Sequence, residues 1–310
     1  MNRGKLTQDL NHRPWFRLIW QWQGSVIPSI VPSVFCSAIF ALGITILYHF
    51  GINLALPLES GLVPTIVLGL LLVFRTNTAY ERYWEGRKLW GTLINTVRNL
   101  SRTLWITVKE NDNSDRIQKI ATLRLLIAFA IATKLHLRSE PVNEELARFL
   151  PQKWYDQLFT MNHPPLEIAF WIGDYLQEQY EKQCINSYQL TAMFKLLDTM
   201  VDVLGACERI LKTPIPLAYT IHLKQLVLLY CLTLPFQFVD ELGWMTAPIV
   251  ALISFTILGI EAIGIEIEDP FGYDANDLPL DQICYTMERN IEDLITLAPC
   301  VRYFKDNLTQ

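Results

Sequence analysis

Residues 62–91 read LVPTIVLGLLLVFRTNTAYERYWEGRKLWG, and this stretch decides what kind of fold the chain adopts. From Leu62 to Phe74 it carries no charge, and then it meets Arg75. Thirteen uncharged residues fall short of the roughly 20 that cross a hydrocarbon core. The reading is a helix that leaves lipid near Arg75 and continues through the polar run into water or protein.

Working outward, the apolar residues gather in two blocks, Val26–Phe74 and Tyr219–Ile267, with a long polar region between them. The chain of 310 residues is 51% hydrophobic and 18% charged, against about 25% charged in a typical soluble domain. That distribution predicts an all-α membrane protein with four spans, at about 26–50, 61–75, 219–240 and 244–266. Residues 76–212 are predicted to form a cytosolic helical region, and 1–310 to form a single architecture. The N-terminal arm holds Arg3, Lys5, Arg13 and Arg17, while the connections 51–60 and 240–243 hold no Lys or Arg. Basic residues flank cytoplasmic ends, so both termini and the middle region are placed in the cytoplasm. The polar start of the chain does not read as a cleavable signal, so the first span is expected to remain as an anchor.

Within the middle region, IATLRLLIAFAIATKLHLR has an apolar centre of about eight residues, bounded by Arg124 and Lys134. It is predicted to be a buried helix of a bundle rather than a span. LEIAFWIGDYLQEQY and LTAMFKLLDTMVDVLGACERI repeat apolar residues at helical spacing. NDNSD, EPVNEE, HPP and TPIP mark the loops between them.

Several function classes find no support. The net charge of −5 gives no basic face for nucleic acid. The six cysteines show no C-x-x-C spacing, so neither a disulfide framework nor a zinc cluster is indicated. His12, His49, His136, His163 and His222 are scattered, and no hydrolase or phosphate-loop motif occurs. The chain is not expected to be an enzyme.

Two features invite a functional reading. Ile66, Leu70 and Phe74 stand at i, i+4 and i+8 and share one helix face. That face suits lipid contact, helix packing, or a ring that gates by excluding water. The second feature is the acidic loop EAIGIEIEDPFGYDANDLPLD, residues 261–281, which reads as a solvated connection or a hard-cation site. Glu261 and Glu266, near the cytoplasmic end of the last span, are expected to pair with an arginine.

The run FRTNTAYERYWEGRKLWG, residues 74–91, closely resembles the signature of bacterial and plant bestrophins. RLIWQWQGS, CERILKTPIPLAYT and IEIEDPFGYDANDLPLD agree in order and spacing. The resemblance implies a homo-pentamer in lipid that passes small permeant ions, with the second span of each subunit around a central pore. It implies a hydrophobic neck formed by Ile66, Leu70 and Phe74, and a cytosolic aperture at Tyr188, Gln189 or Leu190. Glu266, Asp269, Asp274 and Asp277 match the calcium clasp of animal members, but Ala275 and Asn276 interrupt the acidic run. No cofactor is therefore expected to be required, with calcium or an intersubunit strap as readings of the loop. Anion conduction, of chloride or bicarbonate, is preferred to monovalent-cation conduction or a non-conducting scaffold. A plasma or inner membrane is the expected location, with a thylakoid-type membrane as the alternative.

Overall fold

The computed structural model of the chain describes residues 20–56 and 62–296. The four basic residues of the N-terminal arm, the start of RLIWQWQGS and part of the connection 51–60 lie outside the described residues. Every described element is a helix. In order these are α1 (Ile27–His49), α2 (Leu62–Thr107), α3 (Asn113–Leu137) and the short α4 (Glu144–Ala147) and α5 (Gln152–Leu158). After them come α6 (Pro164–Glu181), α7 (Ser187–Lys212), α8 (Leu217–Leu242), α9 (Thr246–Glu266) and α10 (Leu280–Thr296). A single 3-10 turn, Gly243–Met245, joins α8 to α9. Gly243 opens it at φ +51°, in the left-handed region that favours glycine.

The described residues divide into two compact units, and α2 contributes to both. One unit holds α1, the first part of α2 up to Glu85, α8 and α9. These helices are long and apolar enough to cross a membrane, with mean hydropathy of 2.3 over an 18-residue window in α1 and 2.1 over one in the α8–α9 stretch. Yet few of their residues are buried: only four in α1 and four in α9. Apolar surface left bare on this scale needs lipid or another subunit to cover it. The predicted spans at 26–50, 219–240 and 244–266 correspond to α1, α8 and α9. The helix of the second span does run on past Arg75, unbroken for 46 residues. At about 1.5 Å per residue that is about 70 Å, more than twice the roughly 30 Å hydrocarbon core.

The other unit is a helical bundle around α3. By length and composition α3 also qualifies as a span, but 15 of its 25 residues are buried inside the unit. Its apolar surface is covered by protein, chiefly by α6 and α10, so it is a core helix, as its charged boundaries predict. Asp112 caps its start by accepting from the backbone N–H of Asp115 at 2.8 Å. Near its end Lys134, 3% exposed, donates to Glu145 at 2.6 Å and Asp281 at 2.9 Å. Arg138 joins Asp281 at 3.2 Å.

Burial opposes the charge of Asp281, but hydrogen bonds and attraction from Lys134 and Arg138 outweigh it and hold its carboxyl below 3.8. A depressed carboxyl adds stability above its unfolded pKa and loses it as pH falls through the folded pKa. The Asp281 side chain is 63% exposed and Lys134 keeps Glu145 as a partner, so with solvent screening Asp281→Ala is expected to cost only about 0.5–1 kcal/mol at neutral pH. The gap from the parent should close at acid pH, as thermal melts across a pH series would show. A constant gap would mean that the carboxylate charge contributes nothing.

Candidate pore-lining helix and acidic loop

The first part of α2 has two faces of similar composition and opposite surroundings. Leu68 and Leu72 are each 3% exposed and pack with Leu223, Val227 and Cys231 of α8. Lipid tails are as apolar as leucine, so close van der Waals packing rather than expulsion of water holds this face of α2 against its neighbour. Ile66, Leu70 and Phe74 point away from that cluster and are 63%, 54% and 56% exposed. The i, i+4, i+8 row read from the sequence is thus an exposed apolar stripe among the described residues.

Below the stripe, Arg75 is 2% exposed and pairs with Glu268 at 3.0 Å. It also donates to the hydroxyl of Thr220 at 3.1 Å. The guanidinium lies against the backbone of α9 at Gly264, where a Cβ would make ordinary contact with Arg75 Nε at 3.5 Å. The other oxygen of Glu268 accepts from the backbone N–H of Ile215 at 3.1 Å. Arg82 donates to the backbone carbonyl of Glu268 at 3.2 Å and to that of Thr213. The signature run thus anchors α2 to the loop before α8 and to the residues after α9.

Here the structure corrects the expectation for Glu261 and Glu266. Among the described residues neither pairs with an arginine. Glu266 accepts from the side-chain amide of Asn276 at 2.8 Å, and one oxygen of Glu261 is buried without a partner. Arg75 goes to Glu268 instead, two residues beyond α9, where the chain has turned back beneath the helix end. The sequence signal for Glu268 was its place in the EDP run. Glu261 and Glu266 drew attention as ionisable groups near the end of the span, and Glu268, just beyond it, did not.

The acidic loop folds on itself. Asp269 accepts from the N–H of Phe271 at 3.1 Å, and Asp277 from the N–H of Asp274 at 2.7 Å. Asn276 also reaches the carbonyl of Gly24 at 3.2 Å, tying the loop to the segment before α1. A Cβ on Gly272 would lie 2.8 Å from Asp277 Oδ2, so the carboxylate closes against bare backbone. Burial, helped by Asp274, Asp269 and Glu266, pushes Asp277 up to about 6 against the pull of the Asp274 N–H. Its second oxygen, Oδ1, is buried without a partner. Oxygens from acidic loops are the ligands hard cations take, but among the described residues no three of these carboxylates bring ligand atoms together, and only Asp277 Oδ1 is left buried and free for an ion.

At the start of α7, the candidates for the cytosolic aperture differ. The side chain of Gln189 accepts from the N–H of Asn186 while Asn186 accepts from the N–H of Gln189, both at 2.9 Å. This reciprocal capping occupies Gln189. Leu190 is partly buried, and Tyr188 is 87% exposed.

Comparison with known proteins agrees with this architecture. The model of the Bacterial/Fungal Bestrophin protein family matches residues 8–293. A protein of Synechocystis named a voltage-dependent anion channel-forming protein is 60% identical over 287 residues, covering 93% of this chain and 94% of its own. One of the same description from Escherichia coli K12 is 36% identical over 278 residues, 88% of this chain and 89% of its own. The solved structure of a bacterial bestrophin homologue from Klebsiella pneumoniae superposes with a TM-score of 0.80 at 32% identity, covering 87% of this chain and 100% of that one. Family match, membrane-length apolar helices and shared fold agree, and the chain is an integral membrane protein of the bestrophin family.

Proposed function

We propose that the protein is a homo-pentameric channel for small monovalent anions, chloride or bicarbonate, with its neck on the exposed stripe of α2. One observation carries the reading: Ile66, Leu70 and Phe74 form an uncharged row left exposed among the described residues, back to back with the row that packs on α8. A ring of such rows about a symmetry axis would make a hydrophobic constriction. The names of the Synechocystis and Escherichia coli relatives support anions over cations, and a channel over an enzyme. Both units, linked by the unbroken α2, serve one channel, with the bundle and both termini on the cytoplasmic side of a plasma or inner membrane. Tyr188, the most exposed of the three candidates, is the residue assigned to the cytosolic aperture.

An iodide-quench assay on proteoliposomes tests conduction. Anion entry proportional to protein is expected; no entry beyond empty vesicles would favour a scaffold.

The acidic loop holds its shape through its own amides, so conduction is proposed to need no calcium. Anion flux is expected to persist in a calcium chelator, and its reversible loss would make the loop a calcium clasp. The unpartnered Asp277 Oδ1 is the observation that favours that second reading.

A further inference from the structure

In the helical bundle, far along the sequence from both features above, three side chains converge. His136 stands near the end of α3, His163 immediately before α6, and Glu208 in the last turns of α7. The Nε2 atoms of both histidines lie 2.7 Å from the same carboxylate oxygen, Glu208 Oε1. The rings are 4.4 Å apart, tilted by 36°. The three candidate ligand atoms all fall within 4.8 Å of one another. The side chains are 23%, 32% and 17% exposed, so the cluster has walls and an open side.

We propose that His136, His163 and Glu208 form a zinc-class transition-metal site that clamps α3, α6 and α7 together. Two imidazoles and one carboxylate are a known zinc donor set, with water at the fourth position. Imidazole selects zinc, copper or nickel over calcium and magnesium. Zinc bonds of about 2.0–2.2 Å in a tetrahedron put ligand atoms about 3.4 Å apart. The present 2.7 Å separations widen to that by side-chain motion alone, since each residue has a solvent-facing edge. Without a metal the triad is held by both Nε2–H groups donating to the one oxygen, and His163 Nδ1 stays buried without a partner. Lys212 occupies the other carboxylate oxygen at 3.0 Å, leaving Oε1 as the ligand. Widely separated stretches of sequence supply the three residues, which is why their spacing showed no motif.

The test uses the full chain in detergent, stripped with chelator and titrated calorimetrically with zinc chloride. One equivalent per subunit is expected, undisplaced by excess calcium or magnesium, with the melting temperature rising as zinc is added. Cobalt(II) in its place should give the intense visible bands of a tetrahedral N/O site. His163→Gln, outside any helix and partly exposed, should weaken binding at least tenfold and abolish the thermal shift. Lys212→Ala should retain the metal. Glu208→Gln should behave as His163→Gln does, and His163→Gln alone decides should that variant fail to fold. Absence of zinc heat and cobalt bands, or equal affinity in the His163 variant, overturns the site. None of these readouts involves ion flux, so the outcome is independent of the channel proposal.

Discussion

Replacing Ile66, Leu70 and Phe74 together by alanine is expected to raise unitary conductance about tenfold, equivalent to about 1.4 kcal/mol off the permeation barrier. An uncharged constriction resists ions chiefly by being too narrow and apolar to stay wet. The three side chains project away from the packing face of α2, as Val63, Val67 and Val73 also do. Truncating them should widen the neck while leaving Leu68 and Leu72, which hold α2 in place, untouched. Folding and assembly should therefore survive, as gel filtration would show. Single-channel recording in planar bilayers makes the measurement. Unchanged conductance in a properly assembled triple variant would remove the neck from this face.

The second large effect is on stability. Arg75→Ala should destabilise the unit containing α1, α8 and α9 by about 3–5 kcal/mol, the cost of stranding one member of a buried pair. Arg75 is 2% and Glu268 19% exposed, so little water reaches the carboxylate left behind. Arg75→Lys should recover only part, because one ammonium cannot span Thr220 and Glu268 in the same fork geometry. Thermal unfolding of purified protein would register both. A loss under about 1 kcal/mol for Arg75→Ala would put the pair among weak surface bridges.

Much of the fold was legible because membrane solvation leaves a coarse mark. Continuous apolar runs located α1, α8 and α9 to within a few residues, and the continuation of α2 as a helix past Arg75 was read correctly. The burial of α3 followed from Arg124 and Lys134 cutting its apolar run short. The stripe of Ile66, Leu70 and Phe74 was legible from period alone, since i, i+4 residues share a face on any helix. What period cannot encode is which residues meet across distant stretches. Arg75 with Glu268, Lys134 with Asp281, and the triad of His136, His163 and Glu208 join residues 45 to 193 positions apart. No local spacing announces them. Glu261 and Glu266 were misassigned for the same reason, because the helix end lets the chain turn and offers Glu268 instead. The role of Gln189 was hidden too, since its bond to Asn186 looks in sequence like any polar pair.

The central claim, that this chain conducts anions, is tested most directly by the reversal potential of purified protein in a planar bilayer under a potassium chloride gradient. The account predicts a value near the chloride equilibrium potential. A value near the potassium equilibrium potential would contradict it and make the same neck a path for monovalent cations.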